Sequence, residues 1–120
     1  MSKQSTSVAA LVLAKLIERE KIKKPVRLEI KLLKLTNRLD PNGNQRRYFN
    51  VKLNDIEISQ TIADLTGLHL SNAKDLSEPA VIIRGCGMDM ALALQLDVKS
   101  KMNQEGYKDY IDSDYNFINN

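Results

Sequence analysis

The sequence predicts a small α+β domain in the order α-β-β-α-β-α: an antiparallel sheet, made of a hairpin plus a third strand, packed by an N-terminal and a C-terminal helix. Three observations carry this. Apolar residues recur at helical spacing over residues 8–21 and 88–102, alternate with polar ones over 26–32 and 48–54, and run together from Ala80 to Ile83 ahead of two glycines. At 120 residues the chain has the size of one domain. Residues 1–102 are expected to form it, with 103–120 as an acidic, tyrosine-containing tail.

Ser5, Thr6 and Ser7 can each cap the first helix, predicted from about Val8 to Lys21. Lys21, Lys23 and Lys24 put positive charge at its C-terminal end, where the helix dipole favours it, and Pro25 ends it. Ala9, Ala10, Val12, Leu13, Leu16 and Ile17 form one apolar arc, leaving Val8 and Leu11 outside it as the expected contact of a homo-oligomer. Val26, Leu28, Ile30 and Leu32 then alternate with Arg27, Glu29 and Lys31, the period of a half-buried strand. Asp40-Pro41-Asn42-Gly43 signals a turn, and Phe49, Val51 and Leu53 alternate with Tyr48, Asn50, Lys52 and Asn54 in the returning strand. The hairpin is expected to show water a basic face of Arg27, Lys31 and Lys52, with Arg46 and Arg47 near the turn.

Ser59 is the expected cap of a short helix that ends at Gly67, and Leu68 to Pro79 reads as a loop long enough to be functional. A strand from Val81 to Arg84 leads through the glycines into a helix from about Met88 to Met102. Its apolar stripe comprises Met88, Ala91, Leu92, Leu94, Leu96, Val98 and Met102, with Gln95 near the middle.

Composition removes several functional classes. One cysteine, Cys86, and one histidine, His69, cannot build a tetrahedral zinc site or an internal disulfide within one chain. Aromatic residues are only 5%, which argues against a cage of rings around a cofactor, and no cofactor is expected. The apolar run Val8 to Ala14 is too short to cross a bilayer, so a cytoplasmic protein is expected, in a bacterial host. Charge divides along the chain: residues 1–52 hold 13 Lys and Arg against 4 Asp and Glu, and residues 53–120 hold 5 against 11. A net of +9 therefore precedes one of −6, which suits attraction between the halves or a basic face for an anionic partner.

The segment Gly85-Cys86-Gly87-Met88-Asp89-Met90 joins the third strand to the last helix. Together with Ile62-Ala63-Asp64-Leu65-Thr66-Gly67 and the order of elements over residues 26–102, it resembles a family of small accessory proteins carried by bacterial phages, prophages and plasmids. The family's Arg-Ser-Gly-Met-Ser-Arg-like turn is replaced here by Thr36-Asn37-Arg38-Leu39-Asp40. The resemblance implies a phage accessory setting rather than an activity.

Flanking glycines allow close approach to the backbone, and amides feeding a helix N-terminus attract anions, so Arg84, Gly85, Cys86, Gly87, Met88 and Asp89 are the expected ligand site. Asp89 opposes this, because a carboxylate in the first turn already satisfies the dipole. The expected function is a non-catalytic binding protein, with counter-defence as its setting. It would inhibit a host protein or sequester an anionic ligand such as a nucleotide or nucleic acid on Arg27, Lys31, Arg46, Arg47 and Lys52. One alternative is a small enzyme acting on a nucleotide or phosphodiester through Cys86, Asp89 and His69. A structural or assembly protein of the virion is another.

Overall fold

Alternation of apolar and charged residues makes strands with one greasy side, and burying that side draws them into a single sheet. The computed structural model describes residues 7–23, 25–36, 45–72, 76–85 and 90–107. Strand β1 (Leu28–Leu35) pairs antiparallel with β2 (Gln45–Leu53), which pairs on its other side with β5 (Ala80–Gly85), and β4 (His69–Ser71) forms the far edge. A two-residue strand β3 (Ile56–Glu57) folds back on the end of β2. The α+β class and the hairpin-plus-third-strand core stand as expected, with β3 and β4 added to them. The Asp40 to Gly43 turn lies outside the described residues.

The strand of expected limits Val26 to Leu32 instead runs Leu28–Leu35, because a bulge interrupts its alternation. Leu32 faces Phe49 and Lys34 faces Tyr48, so Leu33 is the extra residue and the alternation restarts after it. One side of the sheet carries Leu28, Ile30, Phe49, Val51, Leu53, Val81 and Ile83, all buried in one core with the helices. The other side has no helix on it among the described residues.

Three helices cover the greasy side: α1 (Val8–Lys23), α2 (Ser59–Thr66) and α3 (Met90–Gln104). Ser7 caps α1, its Oγ accepting the Ala10 amide at 3.3 Å, while the Glu105 carboxylate accepts the Ser7 amide at 2.7 Å. This contact joins the start of α1 to the end of α3. The folded body therefore continues past Met102, and Tyr107 packs against the core. On α1 the core takes Ala10, Leu13, Ala14 and Ile17, while Val12 of the predicted arc is exposed beside Val8 and Leu11. On α3 it takes Ala91, Leu94, Val98 and Met102, leaving Leu92 and Leu96 exposed. The core-facing stripes are thus narrower than the sequence predicts, since each helix rests on only one layer.

Ser59 is fully buried and is the first helical residue of α2, not its cap; the residue in that place is Ile58. The Ser59 Oγ accepts the Val51 amide of β2 at 2.8 Å, and the Glu57 carboxylate accepts the Ser59 amide at 2.8 Å. A strand residue thus does the capping that was expected of the serine. Gly67 ends α2 as predicted, with φ +76°, and the amides of Gly67 and Leu68 both donate to the Ala63 carbonyl. The chain then enters β4 directly, so the expected loop from Leu68 to Pro79 begins as an edge strand.

Candidate anion-binding site on the open sheet face

Strand register decides which side chains meet on the helix-free face. Across β1, β2, β5 and β4, one row runs Lys34, Tyr48, Ile82, His69, because Lys34 pairs with Tyr48, Tyr48 with Ile82 and Ile82 with His69. The next row towards the end of the sheet places Arg46 directly opposite Arg84. Lys31 lies on the same face, opposite Asn50. The Lys34 ammonium stands 5.8 Å from the centre of the Tyr48 ring, within cation–π reach. Thr36 fixes the backbone of Arg46: the Arg46 amide donates to Thr36 Oγ1 at 3.0 Å, and the Thr36 amide donates to the Arg46 carbonyl at 3.0 Å.

Strand β4 begins at His69, opposite Ile82, whereas β5 continues to Gly85. The notch left beside the end of β5 is a cavity of about 340 Å³ lined by Arg46, Arg84, His69 and Ile82, with Gly67, Leu68 and Ile83 completing its wall. Neither Arg46 nor Arg84 forms an ion pair with a described residue, and both side chains are exposed. Like charges placed directly opposite on adjacent strands repel, at a cost of about 0.2–1 kcal/mol. An anion seated between them reverses the sign of that interaction.

The lower half of the same face is closed. Asn50 is buried there, its Nδ2 donating to Glu57 and to the Pro79 carbonyl. Lys52 Nζ lies 2.6 Å from Glu78 Oε1. The hydrogen bond to Glu78 raises the Lys52 pKa above its ordinary value; burial opposes the rise, and the charges of Glu78, Glu57 and Asp55 support it. Lys52 is therefore engaged within the fold. Pro79 and Glu78 thus hold the Asn50 and Lys52 side chains of this part of the sheet.

The structure thus separates the residues expected to act together. Arg46, Arg84 and His69 converge on one cavity, although the sequence places them in a hairpin, a strand end and a loop. Arg47 points to the core side, opposite Leu35 and Ile83, since neighbours in a strand face opposite ways. Arg27 is exposed one residue before β1, its amide donating to Asn54 Oδ1 at 2.9 Å. Gly85 ends β5, while Cys86, Gly87, Met88 and Asp89 lie outside the described residues. Sequence reasoning missed Tyr48 with Lys34 as a pair, and Ile82 as a member of the face. Only strand pairing reveals them. Among the described residues no three His, Cys, Asp or Glu side chains gather as metal ligands, and no helix is long and apolar enough to cross a membrane.

No protein-family model matches the chain, and neither a curated protein nor a solved structure matches it.

Proposed function

We propose that this protein is a non-catalytic binding protein for an anionic ligand of the nucleotide or nucleic-acid kind, held on the open face of the sheet. The observation that carries the reading is the facing pair Arg46 and Arg84, with no ion pair to a described acid, at the mouth of a cavity that also presents His69. Two guanidiniums offer planar, forked donors suited to phosphate oxygens. Ile82 supplies an apolar wall against which a base or sugar can rest. The biological setting proposed, from the resemblance of the glycine-cysteine segment, is a phage-type accessory protein in counter-defence that sequesters its ligand. Self-association through the exposed Val8 and Leu11 belongs to the same reading.

Isothermal titration with a panel of linear and cyclic nucleotides tests it. Stoichiometric binding that weakens steeply with salt is expected, together with its loss in Arg84→Glu and Arg46→Glu variants that keep their circular dichroism. Release of product during incubation would instead support the enzyme reading with Cys86, Asp89 and His69. Absence of binding by every nucleotide of the panel and by a single-stranded oligonucleotide would overturn the proposal.

A further inference from the structure

We infer that the ligand of this face is single-stranded nucleic acid, lying across the strands with one phosphate in the Arg46–Arg84 notch and a base on Tyr48. The inference rests on the anionic-ligand reading and goes beyond it by choosing a polymer over a free nucleotide. Its first support is span. The row Lys34, Tyr48, Ile82, His69 crosses four strands, and three inter-strand steps of about 4.8 Å make a platform of about 14 Å. Four-stranded sheets that bind RNA stack about two or three bases over such a width. A mononucleotide would leave most of the row unused.

The second support is the order of chemistry along the platform. Tyr48 and Ile82 form a flat, partly buried centre, and cations flank it on both sides: Lys31 and Lys34 on β1, Arg46 and Arg84 beside the notch. A base stacked over Tyr48 therefore has positive charge on either side for the phosphates before and after it. The third support concerns the duplex. A face four strands wide exceeds the major groove of B-DNA, about 12 Å across, which admits a helix or a two-stranded ribbon. Bases splayed from a single strand can lie flat on such a face, whereas the major groove of a duplex does not admit it.

Fluorescence anisotropy with labelled oligothymidylates of two, four and eight nucleotides, a matching labelled duplex, and calorimetry with thymidine monophosphate test the inference on the full chain. Affinity is expected to rise from the monophosphate to the tetranucleotide, and the duplex to bind more weakly than the single strand. With two phosphates engaged, one on each side of the base on Tyr48, log K against log salt should fall with a slope of about −1.4. Tyr48→Ala should weaken the octanucleotide about 5- to 150-fold, the loss of one stacked base, while Tyr48→Phe keeps the affinity and controls for packing. Equal affinity for the monophosphate and the octanucleotide, with Arg84 still required, overturns the polymer and leaves the anionic-ligand reading standing. Failure of every probe to bind overturns both. Preference for the duplex, or an octanucleotide affinity unchanged in a folded Tyr48→Ala variant, also overturns the inference.

Discussion

Glu20 is the buried acid among the described residues, and its surroundings show how one side chain joins three elements. It sits in the last turn of α1, where the helix dipole disfavours negative charge, yet it is almost fully buried. Asn54 Nδ2 donates to its Oε1 at 3.4 Å, Lys23 Nζ lies 3.5 Å from Oε2 and Arg19 Nε 3.8 Å. Asn54, in a left-handed conformation at φ +48°, also receives the Arg27 amide on its Oδ1 and so ties the turn after β2 to the entry of β1. Burial acts to raise the Glu20 pKa, but the hydrogen bond from Asn54 and the charges of Lys23 and Arg19 outweigh it. The carboxyl ends below its ordinary value of 4.5. A folded-state value below the unfolded one means that the unfolded chain takes up the proton first. The stabilisation is therefore complete above the unfolded value and is lost as pH falls through the lowered one. Urea unfolding across pH should show the gap between wild type and Glu20→Gln closing below about pH 4.5, and a gap that is constant or grows on acidification would contradict this account. The sequence gives no hint of this role, because Glu20 stands among Glu18, Arg19 and Lys21 like any solvated helix charge.

Whole elements were legible wherever their period was long enough to count. Alternation over Leu28 to Leu32 and over Phe49 to Leu53, the Ser7 cap, the Gly67 stop and the apolar run into Gly85 all correspond to structure. β3 and β4 were not legible, since two and three residues cannot display a period and only pairing with β2 and β5 makes them strands. The extension of β1 was hidden by the Leu32-Leu33 doublet, which breaks alternation in the sequence and is absorbed in space by the bulge. That bulge carries a prediction. Because Leu32 already pairs with Phe49 and Lys34 with Tyr48, removing Leu33 leaves each remaining pair and each face unchanged. A Leu33 deletion variant is expected to fold, keep Lys34 beside Tyr48 and retain oligonucleotide binding. Loss of the amide protection pattern of β1 and β2 in hydrogen exchange would show instead that the bulge itself sets the register.

At the scale of the molecule, the charge division read along the chain becomes a division across one surface. The basic first half supplies Lys34 and Arg46 to the upper part of the open face and Lys31 to the level of Asn50 below them, and Arg84, the one arginine of the acidic half, completes the set. The site was half legible for this reason: the residue types were visible, but their meeting depends on β2 pairing with β5 and on β4 stopping short. The outer side of α1 is the other surface feature of this size. Val8 is 76% exposed and Ile22 85%, with Leu11 and Val12 between them, and scattered exposed apolar residues are ordinary whereas a row of them on one helix is not. Sedimentation velocity is expected to show concentration-dependent self-association that Leu11→Glu abolishes without loss of helicity. A wild-type chain that sediments as a monomer at every concentration would remove the homo-oligomer.

The closed lower half of the sheet has its own consequence for whatever visits the upper half. Glu29, Glu57 and Glu78 stand there with Lys52 already claimed, so a polyanion that slides down the strands from Tyr48 passes Lys31 and then meets repulsion at the level of Lys52, four residues on. The acidic border works as a fence, and the lane it leaves open runs sideways from β1 to β4. Direction of travel on this protein is therefore set as much by where negative charge is refused as by where it is welcomed.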